Sequence, residues 1–312
     1  MKKVSKLLLR ILLVLFLLVN IIAAFHAYKF THFYDTGKVA IIKPEKKSGW
    51  DVTKDILFGI NAVKKKNTIA PDSAFHTVYL KSSTCPKLEA WYIPADSAKG
   101  TVCMFHGHGA TKSDIFNESI VFRKLGYNTL LVDFRAHGSS EGNNCTIGYY
   151  ESEDVKLAYD YIKGKGEKNI VLWGISMGAA AVSKSISDYH LLPNKVILEM
   201  PFGSILKAAE GRIKMMKLPG EPLAAMITFW GGVEHGFWAF NMKPTEFVQK
   251  IYCPVLLQRG RKDPRVTEQE TNDIYDNIHS PKKLVVYENC GHESLCEHEH
   301  EKWINEITAF LK

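Results

Sequence analysis

The sequence predicts a doubly wound α/β fold: a mostly parallel sheet with helices on both faces and an inserted helical cap. Three observations carry this expectation. Short apolar runs alternate with helix-compatible segments from about residue 75 to the C-terminus, the pattern of βα units around a parallel sheet. One run, Ile170 to Trp173, leads directly into a glycine-flanked serine and then into an alanine-rich segment. The alternation breaks once, over residues 203–250, in a stretch dense in glycine, proline and aromatic side chains.

The 312 residues accommodate one large α/β domain with an insertion. The formal charge of +7 is concentrated at the start, where Lys2, Lys3, Lys6 and Arg10 all precede the first acid, Asp35. Without those four the charge is +3, and no basic stripe interleaved with aromatics remains. Nucleic-acid binding is therefore not expected. The six cysteines form no C-x-x-C pair. Cys103 falls in a buried strand, where a thiol acts as a small hydrophobe. Cys290 and Cys296 are close enough in sequence for a disulfide, but spacing does not fix that geometry.

Residues 1–10 are basic, and Ile11 to Phe25 are apolar apart from Asn20. With Leu7 to Leu9 the stretch reaches about 19 positions, near the length a helix needs to cross a bilayer. Residues 1–27 are expected to be a membrane anchor or an uncleaved signal, with a cleaved signal peptide as the alternative; cleavage after Ala24 or Ala27 would put Ile22 or Phe25, not a small residue, at the −3 position. Basic residues before the span predict a cytoplasmic N-terminus and an extracytoplasmic (periplasmic or extracellular) domain. Residues 28–74 read as a linker or N-terminal extension. Within them Asp51 to Val63 suits an amphipathic helix, and Lys64-Lys65-Lys66 reads as its solvated end.

The domain over 75–312 begins with strands Phe75 to Lys81, Leu88 to Ile93 and Thr101 to Phe105. Helix Asp114 to Leu125, strand Asn128 to Phe134 and helix Tyr150 to Ile162 follow. After the serine-bearing unit come strand Lys195 to Glu199, the cap at about 203–250, and strand Pro254 to Gln258. Helix Thr267 to Ile278, strand Lys283 to Tyr287 and helix Glu299 to Leu311 complete the chain. Sites in such a sheet lie at the carboxyl ends of the strands.

Gly174-Ile-Ser176-Met-Gly178 fits G-x-S-x-G between a strand and a helix. Such a turn holds its serine in a strained conformation with the hydroxyl exposed, and side chains at 174 and 178 would crowd it. A serine hydroxyl is a weak nucleophile and needs a base within hydrogen-bond reach. His292 follows the strand Lys283 to Tyr287, and Asp263 follows the strand before that. The order Ser176, Asp263, His292 is the order of this architecture. The oxyanion would be held by the backbone N–H of Met177 and of His108, in the glycine-rich loop His106-Gly-His-Gly109. The imidazoles of His106 and His108 read as structural. Glu199 could replace Asp263 as the orienting acid, but reads better as a brace beneath the site. Cys296 to Glu301, with His298 and His300, lacks the H-E-x-x-H order of a metal site. No metal and no cofactor is expected.

From about residue 75 onward the chain resembles an α/β-hydrolase of the esterase, monoacylglycerol-lipase and serine-aminopeptidase-like branch. The matching pieces are His106-Gly-His-Gly109, Asp133-Phe-Arg-Ala-His-Gly-Ser139, Gly174-Ile-Ser-Met-Gly178, Gly260-Arg-Lys-Asp263 and Gly291-His292. Ala136 departs from the branch, which usually has glycine after that arginine. The resemblance implies a serine hydrolase acting on esters or thioesters, with a peptidase and a non-catalytic binding module on the same fold as alternatives. The cap aromatics Phe229, Trp230, Phe237 and Trp238 are candidate walls of an apolar substrate pocket above Ser176.

Overall fold

The computed structural model describes residues 2–34, 47–60, 62–71 and 74–312, with side chains from residue 5 onward. The part of the expected extension over residues 35–46 lies outside the described residues.

Helix α1 spans Lys2–Thr31 and passes the expected end of the anchor by about one turn. Its last turns have partners in the domain: Ala23 and Ala27 are buried, whereas Leu7 to Leu18 are exposed. Helix α2, Gly49–Phe58, is shorter than the expected Asp51–Val63. It starts where Ser48 Oγ accepts the Asp51 N–H at 3.2 Å and stops at Gly59, with φ 72°. A Cβ there would lie 2.9 Å from Lys29 Cγ, so α2 meets α1 at a point only glycine permits. Lys64 and Lys65 are not a solvated end. Lys64 Nζ donates to Ser140 O at 2.5 Å, and Lys65 pairs with Asp114.

The domain proceeds through β1 (His76–Leu80), β2 (Leu88–Ile93) and β3 (Thr101–Phe105). After a 3-10 turn come α3 (Phe116–Lys124), β4 (Asn128–Val132), α4 (Glu151–Gly164), β5 (Ile170–Ile175) and α5 (Met177–Tyr189). Strand β6 (Lys195–Glu199) leads into α6 (Ile205–Met215), α7 (Leu223–His235) and α8 (Pro244–Phe247). The chain ends with β7 (Val255–Gly260), α9 (Glu268–Asn277), β8 (Lys282–Tyr287), α10 (Leu295–His298) and α11 (His300–Leu311). The eight strands lie in the order β1-β2-β4-β3-β5-β6-β7-β8. Only β2 runs against its neighbours, so the sheet is mostly parallel, as expected.

The apolar runs become the central strands because both their faces are covered. Every residue of β3, and Ile170 to Gly174 of β5, is buried. On one face Phe105, Leu172, Ala179 and Val196 share a core with α4 and α5. On the other, Met104, Trp173 and Phe122 pack with Trp303 of α11. The chain leaves β3 for β4 on one side and returns to β5 on the other. This reversal opens a crevice at the strands' carboxyl ends.

Candidate active site

The turn after β5 is built by close backbone contact. Ser176 sits at φ 54°, ψ −116°, a sparsely populated region for any residue with a side chain. Its N–H donates to Glu199 O at 2.7 Å and its carbonyl accepts from Ala180 N at 3.1 Å. A Cβ on Gly178 would come within 2.2 Å of Phe105 O, and one on Gly174 within 2.6 Å of Gly178 C. The two glycines let α5 start directly beneath the end of β3.

Three side chains from three strand ends meet here. His292 Nε2 lies 2.8 Å from Ser176 Oγ, and His292 Nδ1 lies 2.7 Å from Asp263 Oδ2. Asp263 Oδ1 accepts the backbone N–H groups of Arg265 at 2.7 Å and Val266 at 3.0 Å, which fixes the carboxylate plane. Burial alone would raise this carboxyl, but the His292 ring and the two N–H donors hold it below its ordinary value. Ionised Asp263 thus selects the tautomer with hydrogen on Nδ1, leaving Nε2 free to accept the serine proton.

The glycine-rich loop after β3 lies beside the serine, since a Cβ on Gly107 would sit 3.5 Å from Ser176 Cβ. Met177 N–H opens α5, where first-turn amides lack intrahelical partners and face the positive end of the helix. Two buried imidazoles shape the loop. His106 Nε2 accepts from Phe134 N at 3.1 Å, and His137 Nε2 accepts from Gly109 N at 3.1 Å. Burial lowers His106 below its ordinary pKa and pushes His137 down to about 3, so both stay neutral acceptors. Burial lowers His108 as well.

His137 was not singled out from the sequence. Its only signal is its place in the quoted Asp133–Ser139 run. That run is also held by Lys112, fully buried between Asp133 and Glu89. Ala136, where glycine is usual, takes φ 65°, a left-handed conformation that costs an L-residue about 1 kcal/mol.

Glu199 does not touch His292. It is buried below the serine turn, where Oε1 accepts the indole N–H of Trp173 at 2.9 Å and of Trp303 at 2.7 Å. Burial, with Glu118 nearby, pushes its carboxyl up to about 8. Cys290 and Cys296 are free thiols. Cys296 Sγ faces His300 Nδ1 at 3.6 Å, and His298 pairs with Glu293.

Three of the four cap aromatics adjoin one another, Phe229 lying 5.4 Å from Trp230 and 6.2 Å from Trp238 between ring centroids. Phe237 stacks on Tyr149 at 3.9 Å, Trp230 hydrogen-bonds Asn20 of α1 at 3.1 Å, and Phe229 and Trp238 point outward, 38% and 56% exposed. The fully buried positions of α7 are its small residues, Ala224, Thr228 and Gly232. Phe30 in the last turn of α1 and Phe33 just after it approach the site, their rings 4.7 and 5.3 Å from that of His108.

An eight-stranded, mostly parallel sheet with a serine on a strained strand-to-helix turn defines the α/β-hydrolase fold. The fold is that of the α/β-hydrolases, and the relatives described next support that superfamily. Residues 96–227 match the family described as serine aminopeptidase, S33. The chain is 24% identical over 234 residues to the uncharacterized protein YqkD of Bacillus subtilis, covering 72% of this chain and 75% of that one. It is 26% identical over 210 residues to the lysophosphatidylserine lipase ABHD12 of Danio rerio, covering 62% of this chain and 51% of the lipase. The solved esterase Pf2001 of Pyrococcus furiosus superposes with a TM-score of 0.65 at 24% identity, covering 80% of this chain and 98% of the esterase. Its relatives support a hydrolase.

Proposed function

We propose that the protein is a serine hydrolase that cleaves carboxylic esters or thioesters with lipid-like acyl groups through an acyl-enzyme. The observation that carries this reading is the continuous hydrogen-bonded chain from Asp263 through His292 to Ser176. Ser176 Oγ attacks the acyl carbonyl as His292 Nε2 takes its proton. The carbonyl oxygen becomes an oxyanion held by the N–H groups of Met177 and His108. His292 then gives the proton to the departing alkoxide or thiolate, leaving an acyl-serine. Water repeats the sequence, with His292 as base, and releases the acid and free Ser176. These residues supply both half-reactions without a cofactor.

The lipid-like acyl group is supported by the lipase relative and by the long apolar α1. A peptidase reading rests on the name of the matching family model. Of the cap acids that could hold a substrate amine, Glu210 is already paired with Lys207 and Lys214. We read α1 as a single membrane-spanning anchor, exposed and apolar over most of its length, with the basic N-terminus cytoplasmic.

The test is a panel of esters, thioesters and aminoacyl amides of graded acyl length, offered to the full chain in micelles. Turnover of esters and thioesters, with kcat/KM rising from acetyl to medium-chain acyl groups, supports the reading. Each further buried methylene can contribute up to about 0.8 kcal/mol. Turnover confined to aminoacyl amides would make the peptidase reading correct.

A further inference from the structure

Where α1 joins the domain, exposed apolar side chains surround it. On one side α2 ends against Phe25 and Lys29 and leaves Trp50, Leu57 and Phe58 exposed. On another, α7 packs along α1 with Gly231 facing Ala27, and Phe229, Val233 and Trp238 are exposed. Water-soluble surfaces carry large apolar residues singly, whereas a group around one helix marks a surface that meets something apolar. Over Leu223–His235, α7 has one acid, Glu234, and neither lysine nor arginine.

Asn20 sets the depth of this collar. The apolar stretch of α1 ends near Phe25, and at about 1.5 Å rise per residue Asn20 lies roughly 8 Å inside that end. Its amide is the polar interruption of the span, and it is satisfied from two directions. Nδ2 donates to Phe16 O at 2.8 Å, while Oδ1 accepts Trp230 Nε1–H at 3.1 Å. Trp230 therefore occupies the depth of Asn20, and α7 accompanies it. Tryptophan favours the membrane boundary, where its ring is in apolar surroundings and its N–H is satisfied.

We propose that α2 and α7, grouped around α1, form a bilayer-docking surface. Phe58, Phe229 and Trp238 enter the boundary between headgroups and acyl chains of the leaflet on the domain's side. The inference rests on the reading of α1 as a membrane span. The occupant is lipid because the collar is continuous with the exposed apolar surface of α1 from Leu7 to Phe25, which faces the same medium. Docking of this kind scales with the apolar area buried at the interface.

The test uses the full chain reconstituted in phosphatidylcholine–phosphatidylglycerol vesicles. An environment-sensitive fluorophore is attached to Phe58→Cys, Phe229→Cys or Leu192→Cys in a Cys253→Ser background. Leu192 is an exposed apolar residue just before the amino-terminal end of β6, opposite the strand ends that carry Ser176. Spin-labelled lipid should quench the probes at 58 and 229 several-fold more than the probe at 192, and aqueous iodide should show the reverse order. Equal iodide quenching at all three positions would overturn docking, as would shielding of 58 and 229 from both quenchers, which would indicate a second copy. Failure of the protein to float with the vesicles would overturn the membrane-span reading itself, and is scored separately.

Discussion

The ring of Phe30, in the last turn of α1, stacks on the ring of His108 at 4.7 Å. A helix that reads as an anchor thus ends against the loop that supplies the proposed second oxyanion donor. Phe33 also meets the His108 ring, at 5.3 Å, and that of His137 at 4.7 Å. The backbone is tied in as well, since Phe33 N donates to Asn143 O at 2.7 Å and Cys145 N to Thr31 O at 2.8 Å.

Phe30→Ala should therefore lower kcat more than it changes KM. The fall should be about tenfold, less than the 10²–10³ that follows removal of a whole oxyanion donor. Phe30→Tyr, which keeps a stacking ring, should restore turnover. Steady-state kinetics on a soluble ester checks this, and a change confined to KM would place Phe30 in substrate binding instead.

Gly178→Ala should destabilise the domain by about 3 kcal/mol, the upper end for overpacking. Its Cβ would press on Phe105 O and His106 O, both backbone atoms of a central strand end. Urea denaturation of the two proteins measures the difference. Equal midpoints would show that the turn can open without cost.

The two acids should separate by kind of effect. Asp263→Asn should cost roughly 10⁴ in kcat, the loss seen when the orienting acid of a serine-protease triad is neutralised. Glu199→Gln should leave kcat within a few-fold, because the hydrogen bonds of the Glu199 side chain go to Trp173, Trp303 and Gln258 and not to His292. The reverse pattern, measured on one soluble ester, would exchange their roles.

Glu199 should also shape stability against pH. Its folded-state carboxyl titrates near 8, against an ordinary value of 4.5, so between those values the folded state holds the extra proton. The stabilisation is whole below the unfolded pKa and is lost as pH rises through the folded one. Glu118, raised by burial to about 7, acts in the same direction. The melting temperature should thus decline between pH 6.5 and 8, and Glu199→Gln should flatten the decline. A variant with an unchanged slope would assign the effect elsewhere. The buried neutral histidines His106, His108 and His137, all lowered by burial, act oppositely, losing stability as pH falls below their ordinary value.

Local pattern made much of this molecule legible. β2, β3 and β6 have the bounds that their apolar runs indicated, because each run is short and ended by a polar or turn residue. Ser176, Asp263 and His292 could be named because the order of strands fixes which loops share one edge. What escaped lies in contacts distant in sequence that leave no periodic trace. Examples are Phe30 against His108, Lys64 reaching the Ser140 carbonyl, and Lys112 buried with Asp133. For the cap aromatics, composition indicates burial without indicating which face is buried. In α7 the glycine and alanine positions turned out to be the packed ones.

The most direct test of the central proposal is covalent titration of the full chain with a fluorophosphonate, followed by peptide mapping. The account predicts one adduct, on Ser176, whose formation parallels the loss of esterase activity. Labelling and hydrolysis should both vanish in Ser176→Ala and fall by orders of magnitude in His292→Ala, with both variants still folded. An adduct on another residue, or undiminished hydrolysis by folded Ser176→Ala, would contradict it.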